Sequence, residues 1–142
     1  MDFQKISEAK AIKDDARRKA EKLNAEAWDL RKHDPTEMLQ KAQLAWEYAE
    51  QAADIETFGY CYRNIGIAHL LLADLQQALM YLNSAADIFK DSSNQKEYAH
   101  IERNIGIVYS RLADYDKALV YLLHSLEISR SIRDHEGIAG NL

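Results

Sequence analysis

Three asparagines recur at one spacing: Asn24, Asn64 and Asn104 stand 40 residues apart. Two of them follow an arginine, in Arg63-Asn64 and Arg103-Asn104. Asparagine is a mediocre helix former because its amide competes for nearby backbone groups. Its return inside otherwise helical sequence therefore needs a cause. An amide carries both donors and an acceptor and so matches a peptide unit, and a guanidinium grips a carboxylate at two points. Two kinds of chemistry fit. In one, the amides form a ladder along the backbone of an extended peptide, and Arg63 and Arg103 take acidic side chains or a C-terminal carboxylate. In the other, each Asn bonds the neighbouring helix and each Arg pairs with a nearby Asp or Glu. The residue types leave both open. A charge-assisted hydrogen bond contributes about 1.5–3 kcal/mol, and ordering a free peptide costs several kcal/mol. Binding by three such units is therefore expected near the micromolar range.

Other chemistry has no foundation in the chain. His33, His69, His100, His124 and His135 form no H-x3-H or H-E-x-x-H pair, so no metal site is expected. Cys61 has no histidine near it in sequence and reads as a packing thiol. No G-x-G-x-x-G, P-loop or G-x-S-x-G motif is present, and no acid, base and nucleophile converge, so neither an enzyme nor a cofactor is expected. The net charge of −5 disfavours a nucleic-acid backbone as ligand. The one basic cluster, Arg17-Arg18-Lys19, is flanked by acids and reads as a solvated helix face. A single cysteine excludes an internal disulfide, and no N-terminal apolar segment stands out; a cytoplasmic protein is expected. The most apolar stretch, 65–73, contains His69 and is far too short for a membrane span.

The elements that must position these residues are repeats. Arg63-Asn64-Ile65-Gly66-Ile67 returns as Arg103-Asn104-Ile105-Gly106-Ile107, and Leu72-Ala73-Asp74 as Leu112-Ala113-Asp114. Ala78-Leu79 and Tyr81-Leu82 map with the same offset onto Ala118-Leu119 and Tyr121-Leu122. Register held across both halves of a 40-residue unit marks an internal repeat. With one proline and abundant Ala, Leu, Glu, Lys and Gln, the chain reads as all-α. Asp34, Asp74 and Asp114 are equivalent N-caps for second helices at about 35–52, 75–90 and 115–130. Asp14, Asp54, Asn94 and Asp134 are equivalent N-caps for first helices, the first three at about 15–33, 55–72 and 95–112. Glu97 completes a capping box with Asn94. The resulting units are 14–53, 54–93 and 94–133. Residues 1–13 form a helical lead-in that shields the first unit or meets a partner, and the apolar stripe of Ala9, Ile12, Ala16, Ala20, Leu23, Ala27 and Leu30 also fits one unbroken first helix from about Ile6 to about His33. A fourth unit begins at 134–142 and stops where Arg-Asn-Ile-Gly would return, so the chain reads as a fragment of a larger protein.

The units resemble tetratricopeptide (TPR) repeats, with their W-x2-L-G-x2-Y, A-x3-F and P pattern. Unit two has Tyr62-x2-Ile65-Gly66-x2-His69 and Ala78-x3-Leu82; unit three has Glu102-x2-Ile105-Gly106-x2-Tyr109 and Ala118-x3-Leu122. The period of 40 exceeds the usual length of about 34. The closing proline is missing, and unit one has Glu26 and Met38 at the glycine and alanine positions. The longer units look like those of bacterial signalling proteins, including N-terminal regions of diguanylate cyclases and histidine kinases. The resemblance implies an α-α superhelix whose first helices line a concave groove. It carries Asn24, Tyr60, Arg63, Asn64, Ile67, His100, Arg103, Asn104, Ile107 and Arg111 onto that groove as peptide-binding residues. Ala27 and Arg31 lie on the same face, whereas Trp28, Trp46 and the tyrosines read as packing. The function implied is a non-enzymatic scaffold for a protein or peptide partner bearing acidic side chains or a C-terminal carboxylate. The alternative is a sensory region that forms a homodimer and controls an attached signalling enzyme.

Overall fold

The computed structural model describes residues 2–140. It contains α1 (Phe3–Asp29), α2 (Pro35–Ala52), α3 (Ile55–Leu71), α4 (Leu75–Phe89), α5 (Gln95–Arg111) and α6 (Tyr115–Gly140), with a single 3-10 turn at Leu30–Lys32. No strand occurs among the described residues. Short connectors make consecutive helices antiparallel neighbours. Helices α1/α2, α3/α4 and α5/α6 form hairpins, and α2 lies on α3 as α4 lies on α5. The chain is thus an all-α superhelix of three hairpins.

Local chemistry sets most boundaries. The side chains of Asp34, Asp54, Asn94 and Asp114 accept the backbone N–H three residues on, at 3.0–3.3 Å. Asp74 makes no such bond; its carboxylate stands 3.5 Å from His69 Nδ1 instead. The turns after α3 and α5 are Schellman motifs. Asp74 N–H donates to the His69 carbonyl at 2.8 Å and Ala73 N–H to that of Leu70 at 3.1 Å; Asp114 and Ala113 repeat the pattern on Tyr109 and Ser110. Both motifs put an alanine in the left-handed region, Ala73 at φ 64° and Ala113 at φ 61°. An L side chain is strained there and glycine is not. Ala73→Gly and Ala113→Gly are each expected to raise stability by about 1 kcal/mol, read from urea denaturation.

Two expected caps are not caps. Asp14 lies within α1, which starts at Phe3 with Asp2 accepting the Gln4 N–H at 3.0 Å. The residues between are good helix formers, so nothing interrupts the helix at Asp14. Asp134 likewise lies within α6, which continues to Gly140. At the preceding boundary, short polar side chains compete for the backbone: Ser92 Oγ donates to the Phe89 carbonyl and accepts from Asn94 N–H. Ile132 and Arg133 take the places of Ser92 and Ser93 at the later one and offer no such competition. Residues 134–140 of the expected fourth unit therefore continue α6. Residues 141 and 142 lie outside the described residues.

The hairpins close tightly where the sequence has glycine. A Cβ at Gly66 would stand 2.8 Å from Leu82 Cγ and 3.1 Å from the Leu82 backbone nitrogen. At Gly106 it would stand 2.8 Å from Leu122 Cγ and 3.3 Å from the Ala118 carbonyl. Unit one solves the contact differently: Met38 is buried, and Glu26 reaches across to Lys41 Nζ at 3.0 Å. A continuous apolar core of Met38, Ile65, Ile67, Leu82, Phe89, Ile101 and Ile105 runs through all three hairpins.

Candidate functional site

The first helices bring the recurring polar residues to the joints between hairpins. Asn24 and Asn64 face each other across α1 and α3. Asn64 Nδ2 donates to the Asn24 carbonyl at 3.0 Å and to its Oδ1 at 3.2 Å. Asn24 Nδ2 donates to Cys61 Sγ at 3.3 Å, and Asn64 Oδ1 accepts from Arg63 Nε at 3.0 Å. Asn64 is 0% exposed, so its amide is spent within the protein. Asn104 does something else: its Nδ2 donates to the His100 carbonyl of its own helix at 2.9 Å.

Arg63 is the hub of the second joint. Its guanidinium lies 4.1 Å over the Trp28 ring and 5.0 Å over Tyr60. Nη1 stands 3.0 Å from Glu97 Oε1, an ion pair off the hydrogen-bonding direction. In low-dielectric surroundings such a cation is held both by the ring quadrupoles and by the carboxylate. Asn94 Nδ2 donates to the Tyr60 hydroxyl at 3.0 Å. Glu97 thus turns from the expected capping box towards Arg63, because Ser92 already serves the Asn94 N–H. Burial pushes the Tyr60 phenol above its ordinary range, the Glu97 charge adding to it. His100 packs edge-on against Trp28 at 5.3 Å, and burial pushes its imidazole below its ordinary value, favouring the neutral ring.

Trp28 therefore ties the three hairpins together, with Arg31 also stacked 4.1 Å over it. Its place in this cluster was readable in principle: Asn24, Trp28 and Arg31 fall on one face at i, i+4 and i+7. That Glu97 is the partner of Arg63 carries no local signal. Of the other groove candidates, Ile67 is buried in the core, while Ile107 and His100 are half-buried. Arg103 and Arg111 are exposed; Arg111 Nη1 donates to the Leu70 carbonyl at 3.2 Å.

Two clefts open along the first helices. One of about 250 Å³ is walled by Asn24, Trp28, Thr57, Tyr60 and Arg63. Another of about 360 Å³, between α5 and α6, has His100, Arg103, Ser129 and Arg133 on its wall. Both present hydrogen-bond donors beside apolar surface, which is what an anionic or peptide group needs.

Cys61 lies under this framework, fully buried. Burial pushes its thiol up to about 11, opposed by the Asn24 amide. The thiolate is the reactive form. In mildly alkaline buffer, a disulfide reagent is expected to label Cys61 roughly a hundredfold more slowly in the folded chain than in denaturant. Equal rates would show that the α1/α3 joint opens freely.

Among the described residues no helix is long and apolar enough to cross a membrane. A family model described as tetratricopeptide repeat matches residues 61–131. The fold is similar to the crystal structure of the TPR domain of Arabidopsis FLU, with a TM-score of 0.73 and 16% sequence identity. That match covers 82% of this chain and 98% of the other. At this identity the likeness concerns the fold alone. No curated protein is a significant match to the sequence.

Proposed function

The chain belongs to the tetratricopeptide repeat family, and we propose that it is a scaffold holding an extended peptide along the concave side formed by its first helices. The observation that carries this reading is the division of labour among the recurring cations. Arg63 is buried and neutralised by Glu97. Arg103, at the equivalent position one repeat later, is exposed on the wall of the cleft between α5 and α6. Arg103 and Arg111, with His100 and Ile107 beside them, then meet the peptide, and the guanidiniums take acidic side chains or a C-terminal carboxylate. Asn24, Asn64, Arg63 and Trp28 hold the first helices in the register that shapes the groove, and Tyr60 borders the cleft on α3. The partner is a protein or peptide.

Affinity capture from lysate tests this reading, using wild type and the Arg103→Ala/Arg111→Ala variant side by side. Both side chains are exposed, so the variant is expected to keep its helical circular dichroism spectrum. Proteins retained by wild type should be lost or depleted by at least roughly tenfold from the variant. Retention of the same proteins by both would remove these arginines from recognition.

A further inference from the structure

We propose that α6 is the seat of a homodimer, in which a second copy's α6 lies antiparallel on it about a two-fold axis beside Leu123. Its centre lies on α6 before the Ser129 and Arg133 wall of the α5/α6 cleft, and the proposal does not depend on what that cleft binds.

The last helix exposes Leu119 (57%), Val120 (66%), Leu122 (36%), Leu123 (54%) and Leu126 (46%), with Tyr115 at its start. Scattered apolar side chains on a surface need no explanation, whereas a contiguous set of this size marks an interaction site. Within the molecule the corresponding stripe is a helix seat. Leu79, Leu82 and Ala86 of α4 occupy the places of Leu119, Leu122 and Leu126; Leu82 and Ala86 are buried and Leu79 half-buried in the core that α4 shares with α3 and α5, Leu82 lying also against Gly66 as Leu122 lies against Gly106. The same relation holds between α2 and α3. An antiparallel helix on α6 therefore repeats a packing that this chain makes twice already.

Two features point to a second α6 as the occupant. First, the apolar arc of α6 is wider than the internal seats require. Leu123 stands where the exposed Gln43 and Asn83 stand in the earlier units, and Val120 stands where Gln40 and Met80 do. Second, the charges are self-complementary. Asp116 and Arg130, both exposed, lie seven residues to either side of Leu123. Antiparallel pairing about Leu123 sets Asp116 of each copy beside Arg130 of the other and brings Leu126 against Val120. A parallel pairing would set Asp116 against Asp116. A two-fold interface buries the same patch on both copies, so each favourable pair occurs twice.

Sedimentation equilibrium of the 142-residue chain, from low-micromolar to several-hundred-micromolar concentration, tests the proposal. The expected result is a monomer–dimer equilibrium. Leu123→Glu, at an exposed position, should keep the helical spectrum and weaken dimerisation by at least roughly tenfold. Asp116→Arg and Arg130→Asp should each weaken the dimer, and the two together should restore it. A chain that stays monomeric throughout would overturn the proposal. So would a dimer indifferent to Leu123→Glu, or one that the double charge exchange fails to restore.

Discussion

Asn64→Ala should destabilise the fold by about 3–4 kcal/mol in urea denaturation followed by circular dichroism, a large share of the roughly 5–15 kcal/mol typical of a domain. The side chain is fully buried and satisfies groups on two sides. Its Nδ2 serves both oxygens of Asn24, and its Oδ1 receives Arg63 Nε. Truncation leaves the Asn24 side-chain oxygen and a charged donor without their partner, out of reach of water, and removes the bond that the Asn24 carbonyl accepts from across the joint. Each neutral group stranded in this way costs about 1–3 kcal/mol, and charged groups cost more. The same substitution one repeat later separates this cause from a general intolerance of the position. Asn104 bonds only within α5, to the His100 carbonyl four residues back and more weakly to the His100 ring. Back-bonding of this kind does little for a helix, and Asn104→Ala should cost about 1 kcal/mol or less. Asn24→Ala and Asn64→Ala should combine less than additively, because each removes the other's partner. A loss below about 1 kcal/mol for Asn64→Ala would mean that the amide does not hold α1 to α3. The same geometry explains why Arg103 and Arg111, rather than the asparagines, are the positions at which to test binding.

Gly66→Ala is the second large effect, with a net loss of about 1–2 kcal/mol expected in spite of a helix-propensity gain of about 1 kcal/mol. The new Cβ would meet Leu82 Cγ at 2.8 Å, Cδ2 at 3.0 Å and the Leu82 nitrogen at 3.1 Å. Leu82 is fully buried within the apolar core. The backbone nitrogen cannot move without α4, so the hairpin must open along its length. A double-mutant cycle with Leu82→Ala identifies the clash. That substitution alone creates a cavity, at a cost of about 2–5 kcal/mol. In its presence the added methyl should cost little or become favourable. Additive behaviour, or a stabilised single variant, would show that the close approach at Gly66 is not limiting.

The sequence by itself determined the repeat, the all-α class and the boundaries of the four inner helices, α2 to α5. These depend on interactions that span a few residues. Asp54 reaches Thr57 N–H and Asn94 reaches Glu97 N–H, three positions on, and the left-handed turns at Ala73 and Ala113 close on carbonyls a few residues back. Such bonds are specified by neighbours in the chain, and their 40-residue recurrence makes them visible. The glycines were legible for the same reason: a small residue at a fixed place in a hairpin implies a close approach.

Only the tertiary structure decided what the recurring polar residues do. Identical Arg-Asn pairs at 63–64 and 103–104 have different fates. Arg63 finds Trp28 from the preceding hairpin and Glu97 from the following one, and Asn64 finds Asn24. Arg103 stays exposed, and Asn104 turns back on its own helix. The structure likewise buried Ile67 in the core and carried α6 straight through Asp134. The partner of an amide or a guanidinium at a joint is set by the twist and offset of two helices separated by 34–41 residues of chain, as the Asn24–Asn64, Arg63–Glu97 and Arg111–Leu70 contacts show. Packing across the whole hairpin fixes that offset, and no local pattern encodes it.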